Sequence, residues 1–150
     1  MSKCINDHNL FLEQKNNIDL QNNQRILLID NNDDVLLTFK LLLQNCGFIV
    51  DTFANPIEAL YHFNKNPMNY NIVISDINLP YVSGFEFIKK VRLMNPEIIV
   101  LVSTVDEYEN FINQGKIMLN DSSFVEIDDI IYKPVSQNEL CKIVNETLLQ

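Results

Sequence analysis

Residues 73–88 read VISDINLPYVSGFEFI and place Asp76 directly after an apolar run. Runs of this kind are typical of strands that are buried on both faces of a sheet. A loop with Pro80 and Gly84 follows, and a helical pattern then continues until Asn95-Pro96 ends it. The stretch predicts a buried strand, a polar strand end and a helix that packs back along the sheet.

The same order of strand and helix recurs on both sides of this stretch. The predicted strands are Ile26–Ile29, Phe48–Phe53, Ile72–Ser75, Ile98–Val102 and Ile130–Tyr132. The predicted helices run from Asp33 to Cys46, from Pro56 to about Asn64, through Met94, over Glu107–Lys116, and from Ser136 to Leu148. Strands that alternate with helices over such short connections form a parallel sheet with helices on both faces. The predicted fold class is therefore doubly wound α/β.

Two parts of the chain differ in composition. Residues 1–24 are rich in Asn and Gln, and we expect a polar, mobile tail there. Residues 25–150 carry the strand–helix pattern and form the predicted domain. A chain of 150 residues with 47% hydrophobic side chains is expected to bury one core of ordinary size.

The charge pattern argues against a nucleic acid as partner. The net charge is -9 at pH 7, and the 11 basic residues are mostly scattered. Nucleic-acid binding depends on Lys and Arg side chains that neutralise phosphates. The N-terminus lacks the apolar core of a signal peptide, and no apolar run is long enough to span a bilayer. We expect a cytoplasmic protein without a membrane-inserted segment.

The three cysteines, Cys4, Cys46 and Cys141, are an odd number without CxxC spacing. This pattern argues against a disulfide framework and against a zinc site. Cys46 and Cys141 fall in apolar helical patterns, so we expect buried, reduced thiols at both positions.

Polar residues collect at the ends of the predicted strands. Asp30 follows the first strand, Asp76 the third, Ser103-Thr104 the fourth and Lys133 the fifth. The carboxyl ends of parallel strands meet at one edge of a sheet, where ligands bind. Each of these residues alone is more often a turn former, a helix cap or a surface side chain. Together they indicate a site.

The set suits phosphoryl transfer. Two close carboxylates bind a hard divalent cation such as Mg²⁺, and a lysine can neutralise phosphoryl oxygens from another side. A carboxylate can itself be the nucleophile that accepts the group. A hydroxyl on the fourth strand could then bond to the new phosphate and move toward it, so the site could act as a switch.

Four stretches resemble the receiver domain of two-component response regulators, over residues 25–149. They are ILLIDNNDDVL (26–36), VISDINLPYVSGFEFI (73–88), IIVLVST (98–104) and YKPVSQNEL (132–140). The second is the most specific, because a strand-ending Asp followed by Leu-Pro and then Ser-Gly-Phe is rare by chance. The resemblance implies a flavodoxin-like receiver fold with five parallel strands. It also implies a phosphorylation switch and not a turnover enzyme.

The resemblance implies roles for the strand-end residues. Asp76 takes the role of the phosphoacceptor, and Lys133 that of the lysine that pairs with the phosphate. Thr104 takes the role of the hydroxyl that follows the phosphate, with Ser103 as the alternative because the register is open by one residue. The implied phosphodonor is a phosphohistidine of a sensor histidine kinase or of a histidine phosphotransfer protein.

A Mg²⁺ site is implied beside Asp76. Asp30 matches the main acidic ligand, and Asn78 sits where a backbone carbonyl completes the site. The family has a second acid after the first strand, whereas this chain has Asn31. An amide oxygen can bind Mg²⁺ but carries no charge, so we expect weaker binding than in a site with two acids.

Further expectations concern phosphate lifetime and signal output. Asn78 and Asp106 are expected to flank the path of water to the phosphate and to modulate dephosphorylation. Ile130 stands where the family often has an aromatic residue that reports the switch. The segment before Lys133 is long, and we expect residues 117–126 to enlarge the fourth helix or its following loop. The face formed by the fourth helix, fifth strand and fifth helix is the implied docking surface for a downstream protein.

Three functions remain open from the residues. The first is a stand-alone receiver, since the chain ends at Gln150 directly after the last helix. The second is a degenerate receiver that binds partners without phosphorylation, which Asn31 and Ile130 favour. The third is a phosphatase of the haloacid-dehalogenase kind, which also uses an aspartate nucleophile. That class has Asp-x-Asp on its first strand, whereas this chain has Asp-Asn-Asn.

Overall fold

The computed structural model describes residues 24–105 and 124–150, together with the strands Ile112–Asn113 and Lys116–Met118. The tail expected at residues 1–24 lies outside this part of the chain, apart from Gln24. Within the described part, no helix combines the length and the apolar character that crossing a membrane requires.

The described elements follow the predicted order through most of the chain. The strands are β1 Arg25–Ile29, β2 Ile49–Phe53, β3 Ile72–Asp76, β4 Ile99–Thr104, β5 Ile112–Asn113, β6 Lys116–Met118, β7 Phe124–Glu126 and β8 Asp129–Tyr132. The helices are α1 Asp33–Asn45, α2 Pro56–Lys65, α3 Gly84–Met94 and α4 Gln137–Leu148. All the predicted strands and four of the predicted helices are thus confirmed, with ends that shift by one or two residues.

Five of these strands form one parallel sheet in the order β2-β1-β3-β4-β8. The predicted doubly wound α/β fold is therefore confirmed. The chain passes from β1 to β2 on one side and then continues at β3 on the other side of β1. The strand order reverses between β1 and β3, which is the place where sheets of this kind bind ligands.

Local sequence explains where the helices begin. Asn32 caps α1, because its side chain accepts hydrogen bonds from two first-turn amides at 2.9 and 3.1 Å. Asn55 caps α2 in front of Pro56, whose missing amide is no loss in a first helical turn. Ser136 and Glu139 form a capping box at the start of α4. Each cap fixes the first residue of a helix and so sets where the preceding loop, which follows a strand, ends.

Helices cover the sheet on both faces. The face under α1 and α4 buries Ile26, Leu28, Leu36, Phe39, Leu43, Ile72, Ile74, Leu101, Ile131, Leu140 and Val144. The face under α2 and α3 buries Leu27, Ile29, Ala59, Phe63, Val73, Phe87, Ile88, Val91, Val100 and Val102. Successive residues of each strand therefore point to opposite faces, as strand geometry requires.

The helix predicted over Glu107–Lys116 is wrong where the structure describes that segment. Ile112–Asn113 and Lys116–Met118 are strands, and with β7 they form a three-stranded antiparallel sheet. We expected residues 117–126 to enlarge the fourth helix or its following loop, and this is wrong where the structure describes them, because residues 117–118 and 124–126 lie in strands. Only Gln114-Gly115 separates β5 from β6, and a two-residue connection with a glycine is a hairpin signal. The glycine alone is equally compatible with a helix end, so the pairing of the strands decided the outcome.

Arg92 of α3 ties this small sheet to the main one. Its guanidinium donates to the carbonyl oxygens of Ile98 at 2.6 Å and of Glu126 at 3.2 Å, and it pairs with Asp128 at 3.2 Å. Asp128 also accepts the amide of Val100 at 2.7 Å. These contacts of Arg92 and Asp128 therefore hold the connection between β7 and β8 against the start of β4.

The expectation of reduced thiols at Cys46 and Cys141 is wrong, because the structure joins the two residues by a disulfide. Their Cα atoms are 5.9 Å apart, and the bond connects the end of α1 to α4 across 95 residues of chain. Spacing along the sequence does not reveal this contact, because it depends on how the two helices pack on the same face of the sheet.

Candidate functional site

Three of the predicted strand-end residues converge at the carboxyl edge of the sheet. The Nζ atom of Lys133 donates a hydrogen bond to Oδ2 of Asp30 at 2.8 Å and lies 3.5 Å from Oδ1 of Asp76. The exposed fractions of these side chains are 11% for Lys133, 2% for Asp30 and 10% for Asp76. Because so little water reaches them, the three charges interact more strongly than they would at an open surface.

The turn after β1 holds Asp30 in place. Oδ1 of Asp30 accepts the backbone amide of Asn32 at 2.9 Å. Asn32 is also the cap of α1, so the carboxylate is held between the end of the strand and the start of the helix. One carboxylate oxygen of Asp30 thus faces its own turn, and the other faces Lys133.

Gly84 lies directly behind Asp76. The amide of Gly84 donates to the carbonyl oxygen of Ile77 at 2.8 Å, where α3 begins. A Cβ atom at position 84 would collide with the backbone oxygen of Asp76 and would lie 2.8 Å from the Cα atom of Ile77. Glycine is therefore required for α3 to begin this close to the end of β3.

The surroundings of Asp76 raise the pKa of its carboxyl above the usual range. Burial is the largest cause, because it removes water from the charged form, and the negative charge of Asp30 adds to it. The charge and hydrogen bond of Lys133 and the amide of Ile77 lower this pKa but do not cancel the increase. The site therefore holds more negative charge than one lysine neutralises.

Strand alternation places the three charged residues on one face of the sheet. The residues two positions before them, Leu28, Ile74 and Ile131, all belong to the core under α1 and α4. Side chains two residues apart on a strand point the same way. Asp30, Asp76 and Lys133 therefore project from the same side of the sheet at the ends of β1, β3 and β8, although β4 lies between β3 and β8.

The same argument separates the two candidate hydroxyls, both of which are buried. Ser103 is the partner of Asp76 in the strand register, and Leu101, two residues earlier, lies in the core under α1 and α4. Thr104 follows Val102, which belongs to the core on the opposite face. By register, Ser103 therefore shares the face of Asp76, whereas Thr104 shares that of Val102.

The charged groups open into a cleft of about 550 Å³. Asn31 and Asn78, the other predicted metal ligands, also line this cleft, and both are exposed. Asp106, which was expected to act on the attacking water, lies outside the described residues. Of the residues expected to ligate metal or to modulate dephosphorylation, all but Asp106 thus share one cleft.

The groups in the cleft fit a Mg²⁺ ion. Asp30 and Asp76 supply carboxylate oxygens with an excess of negative charge, and Asn31 and Asn78 supply neutral oxygens beside them. Within the described residues, no group of three His, Cys, Asp or Glu side chains could hold a metal. Neutral oxygens would therefore have to complete the coordination. A cation held there would offset the charge that Lys133 leaves unbalanced.

Two residues that support the site were not identified by the argument from strand ends. Asn32 orients Asp30 through its backbone amide, and Gly84 lets α3 approach Asp76. A signal for Gly84 was present in the sequence, because glycine is a poor helix former and yet stands directly after the cap Ser83. Glycine in that place indicates a close backbone approach.

The chain matches the sequence model of the response regulator receiver domain over residues 26–145. It belongs to this family. The match covers β1 through most of α4 and so includes the cleft with Asp30, Asp76 and Lys133. The resemblance inferred from the four sequence stretches is confirmed.

Curated relatives of this receiver include response regulators, a chemotaxis protein and a hybrid histidine kinase. The regulatory protein VanRB of Enterococcus faecalis is 30% identical over 124 residues, which are 83% of this chain and 52% of that protein. The chemotaxis protein CheV1 of Helicobacter pylori is 28% identical over 86% of this chain and 39% of its own length. The receiver thus spans about half or less of the length of these two relatives.

Solved structures show the same fold. The chemotaxis protein CheY4 of Vibrio cholerae superimposes with a TM-score of 0.70 at 25% identity, over 83% of this chain and 98% of that chain. A CheY-like receiver of Methanospirillum hungatei has a TM-score of 0.68 at 28% identity, over 83% and 93%. The receiver of the sensor kinase PA1611 of Pseudomonas aeruginosa, at 19% identity, shares the fold with a TM-score of 0.69, over 85% and 98%, and has magnesium coordinated in its own cleft. The flavodoxin-like receiver fold is confirmed.

Proposed function

We propose that this receiver accepts a phosphoryl group on Asp76 from a phosphohistidine of a sensor histidine kinase or of a histidine phosphotransfer protein. The phosphorylated domain then docks differently on a downstream protein. Hydrolysis of the aspartyl phosphate resets it, so the domain is a switch and not an enzyme with a separate substrate.

The contacts of Lys133 carry this proposal. The lysine approaches two buried carboxylates at 2.8 and 3.5 Å, and removing three charges from water is costly for stability alone. The same ammonium lies beside Oδ1 of Asp76, where a phosphoryl group on this carboxylate would be within its reach. The arrangement is therefore better explained by a dianionic ligand on Asp76 than by stability.

The proposed transfer is a displacement at phosphorus. A carboxylate oxygen of Asp76 attacks, the bond between phosphorus and the imidazole nitrogen breaks, and that nitrogen keeps the electron pair and takes up a proton. Lys133 offsets the charge of the phosphoryl oxygens from one side. Asp30, Asp76, Asn31 and Asn78 would hold Mg²⁺, which would supply further positive charge to the phosphoryl oxygens.

Ser103 is the hydroxyl that we propose to follow the phosphate, with Thr104 as the second candidate. Ser103 lies in register with Asp76, and β4 pairs directly with the edge strand β8. A shift at Ser103 would therefore reach β8 through the sheet. We propose that the docking surface is formed by β8, α4 and the antiparallel sheet β5–β7. This small sheet occupies the part of the chain where the fourth helix of the predicted face was expected. Asn78 and Asp106 are the residues proposed to modulate phosphate lifetime.

A degenerate receiver is the second candidate function, and Asn31 is the observation that favours it. Asn31 lines the cleft at the position where the second acid of the family is expected. A receiver that binds Mg²⁺ too weakly would act through protein contacts without phosphorylation. The phosphatase alternative lacks such support, because the chain matches the receiver family across the whole cleft. That alternative predicts steady release of phosphate from a simple phosphomonoester, which a receiver does not produce.

The deciding experiment is incubation of the full chain with a small acyl phosphate and Mg²⁺, followed by intact mass. We expect one phosphate adduct, which disappears when Mg²⁺ is chelated and in Asp76→Asn. The matched control is Asp34→Asn, which removes an exposed carboxylate that lines the same cleft and should keep the adduct. If the wild type remains unmodified at saturating Mg²⁺ while a known receiver reacts alongside it, the degenerate alternative holds.

A further inference from the structure

We propose that Cys46 and Cys141 are a reversible thiol modification site, at which a small disulfide such as oxidised glutathione forms a bond that links α1 to α4. The thiol redox state of the surroundings would then control how firmly these two helices are held together. This proposal is independent of phosphorylation at Asp76.

The separation of the two backbone segments suits a disulfide. The two Cα atoms are 5.9 Å apart, which lies inside the range of about 4.4–6.8 Å found for protein disulfides. Both side chains are half-buried, so a small thiol reagent can approach them. Neither residue belongs to the predicted phosphoryl cleft, so the bond can form or break without removing a group from it.

The fold also accommodates the reduced state. Sγ of Cys46 lies 3.1 Å from the carbonyl oxygen of Leu42, one turn earlier in α1. A thiol at this position can donate its weak hydrogen bond to that carbonyl, so reduction leaves no unsatisfied polar group. Both redox states of Cys46 therefore have a place in the same backbone conformation, and a site of this kind can cycle.

The bond lies between the two helices that follow the charged strand ends. α1 begins three residues after Asp30, and α4 begins four residues after Lys133. These helices share one hydrophobic core and cover the face from which Asp30 and Lys133 project. A covalent link between the helices therefore reinforces the scaffold on which the Lys133–Asp30 contact is built.

The chemistry balances as two thiol–disulfide exchanges. One cysteine thiolate attacks the small disulfide and releases one small thiol, which leaves a mixed disulfide on the protein. The second cysteine thiolate attacks the protein sulfur of that mixed disulfide and releases the second small thiol. The two protein thiols lose two protons and two electrons, and the small disulfide is reduced to two thiols.

The first test uses the full chain with Cys4→Ser, so that only the proposed pair can react. The protein is equilibrated in glutathione buffers from fully reduced to mostly oxidised, quenched with acid and weighed intact. In the oxidising buffers we expect the protein mass to fall by two hydrogen atoms and the protein to carry no glutathione adduct. Excess reduced glutathione should restore the two hydrogen atoms. Stable glutathione adducts, or free thiols throughout the series, would overturn the proposal.

The second test measures the constraint itself. A bond that closes a loop of 95 residues restricts the unfolded chain, so oxidation should raise the Tm by on the order of 10 °C. Amide exchange in α4 should slow at the same time. Cys46→Ser and Cys141→Ser, each with Cys4→Ser, are the controls in which glutathione should change neither quantity. If a control variant fails to fold, the oxidised and reduced forms of the Cys4→Ser protein can still be compared with each other. Equal Tm values for these two forms would contradict the proposed link between the helices.

Discussion

The ammonium group of Lys133 lies 2.8 Å from a carboxylate oxygen of Asp30, although 103 residues separate them in the chain. The strands that precede them, β8 and β1, are not neighbours, because β3 and β4 lie between them. The lysine side chain therefore reaches from the edge strand across the ends of the two central strands. This contact joins the start and the end of the domain at the place where Asp76 is buried.

Restoring an acid at position 31 is expected to strengthen Mg²⁺ binding. Asn31→Asp adds a negative charge at a residue that lines the cleft of Asp30 and Asp76, where the ion would sit. We expect the Kd for Mg²⁺ to fall by about tenfold, which corresponds to roughly 1.4 kcal/mol. Titration calorimetry, or quenching of an introduced fluorophore, measures this directly.

The control for that variant is Asn32→Asp, one residue further along. It adds the same charge, but the side chain at position 32 is already used to cap α1, and aspartate caps equally well. We expect a much smaller gain in Mg²⁺ affinity. Equal gains in the two variants would mean that the added negative charge attracts Mg²⁺ without direct coordination by the side chain at position 31.

Removing the hydroxyl of Ser103 is expected to uncouple the phosphate from the rest of the domain. Ser103→Ala keeps Asp76 and should still form the adduct, but it loses a hydrogen bond to a charged group, about 1.5–3 kcal/mol of the switch. Amide exchange of β8 and α4, measured with and without the phosphodonor, reports the response. Thr104→Val changes a residue on the opposite face and should keep the exchange response of β8 and α4. If Thr104→Val loses this response and Ser103→Ala keeps it, Thr104 is the switch hydroxyl.

A methyl group at Gly84 is expected to disturb the backbone of Asp76. Gly84→Ala places a Cβ atom against the Asp76 oxygen and the Ile77 Cα atom, so one of them must shift. We expect a loss of about 2–4 kcal/mol in the free energy of unfolding, together with a slower reaction with the phosphodonor. Urea unfolding and intact mass over time give the two quantities.

Gly47→Ala separates these two effects. Gly47 follows the C-cap residue of α1 and has a φ of 97°, which is unfavourable for alanine, so this variant should also lose about 1 kcal/mol. It lies outside the cleft, so its reaction with the phosphodonor should match that of the wild type. A slow reaction in both variants would show that lower stability alone, and not the position of Asp76, causes the defect.

Stability at high pH is expected to depend on Tyr70. Its hydroxyl donates to Asp51 at 2.8 Å, and burial, then this bond and the charge of Asp51, raise the pKa of Tyr70 far above its usual value. The folded protein keeps a proton that the unfolded chain loses above about pH 10. This contribution is therefore complete below pH 10 and is lost progressively as the pH rises further.

Tyr70→Phe removes that titration. We expect the variant to be less stable at pH 7 by about 1 kcal/mol, and the difference from the wild type to shrink between about pH 10 and pH 11. Urea unfolding at a series of pH values measures both. Tyr61→Phe, at an exposed tyrosine, is the control and should follow the wild type. A constant difference between Tyr70→Phe and wild type across this range would contradict the assignment.

Most of the site was predictable because its residues mark the ends of local patterns. Each apolar run that forms a buried strand stops at a polar residue, and Asp30, Asp76 and Lys133 stand at such ends. Parallel topology then brings these ends to one edge. The choice between Ser103 and Thr104 differs, because one residue of register moves a side chain to the other face. Only the pairing of β4 with β3 shows which of the two hydroxyls lies in register with Asp76.

By itself, the sequence determined the five parallel strands, most helix boundaries and the charged residues of the cleft, since periodicity, caps and strand ends are local properties. The tertiary structure alone decided three other features. These are the antiparallel sheet β5–β7 in place of a helix, the disulfide between Cys46 and Cys141, and the position of Ser103 beside Asp76. Each depends on which distant segments pair or pack together, and the free energy of such contacts is not encoded in any single stretch of the chain.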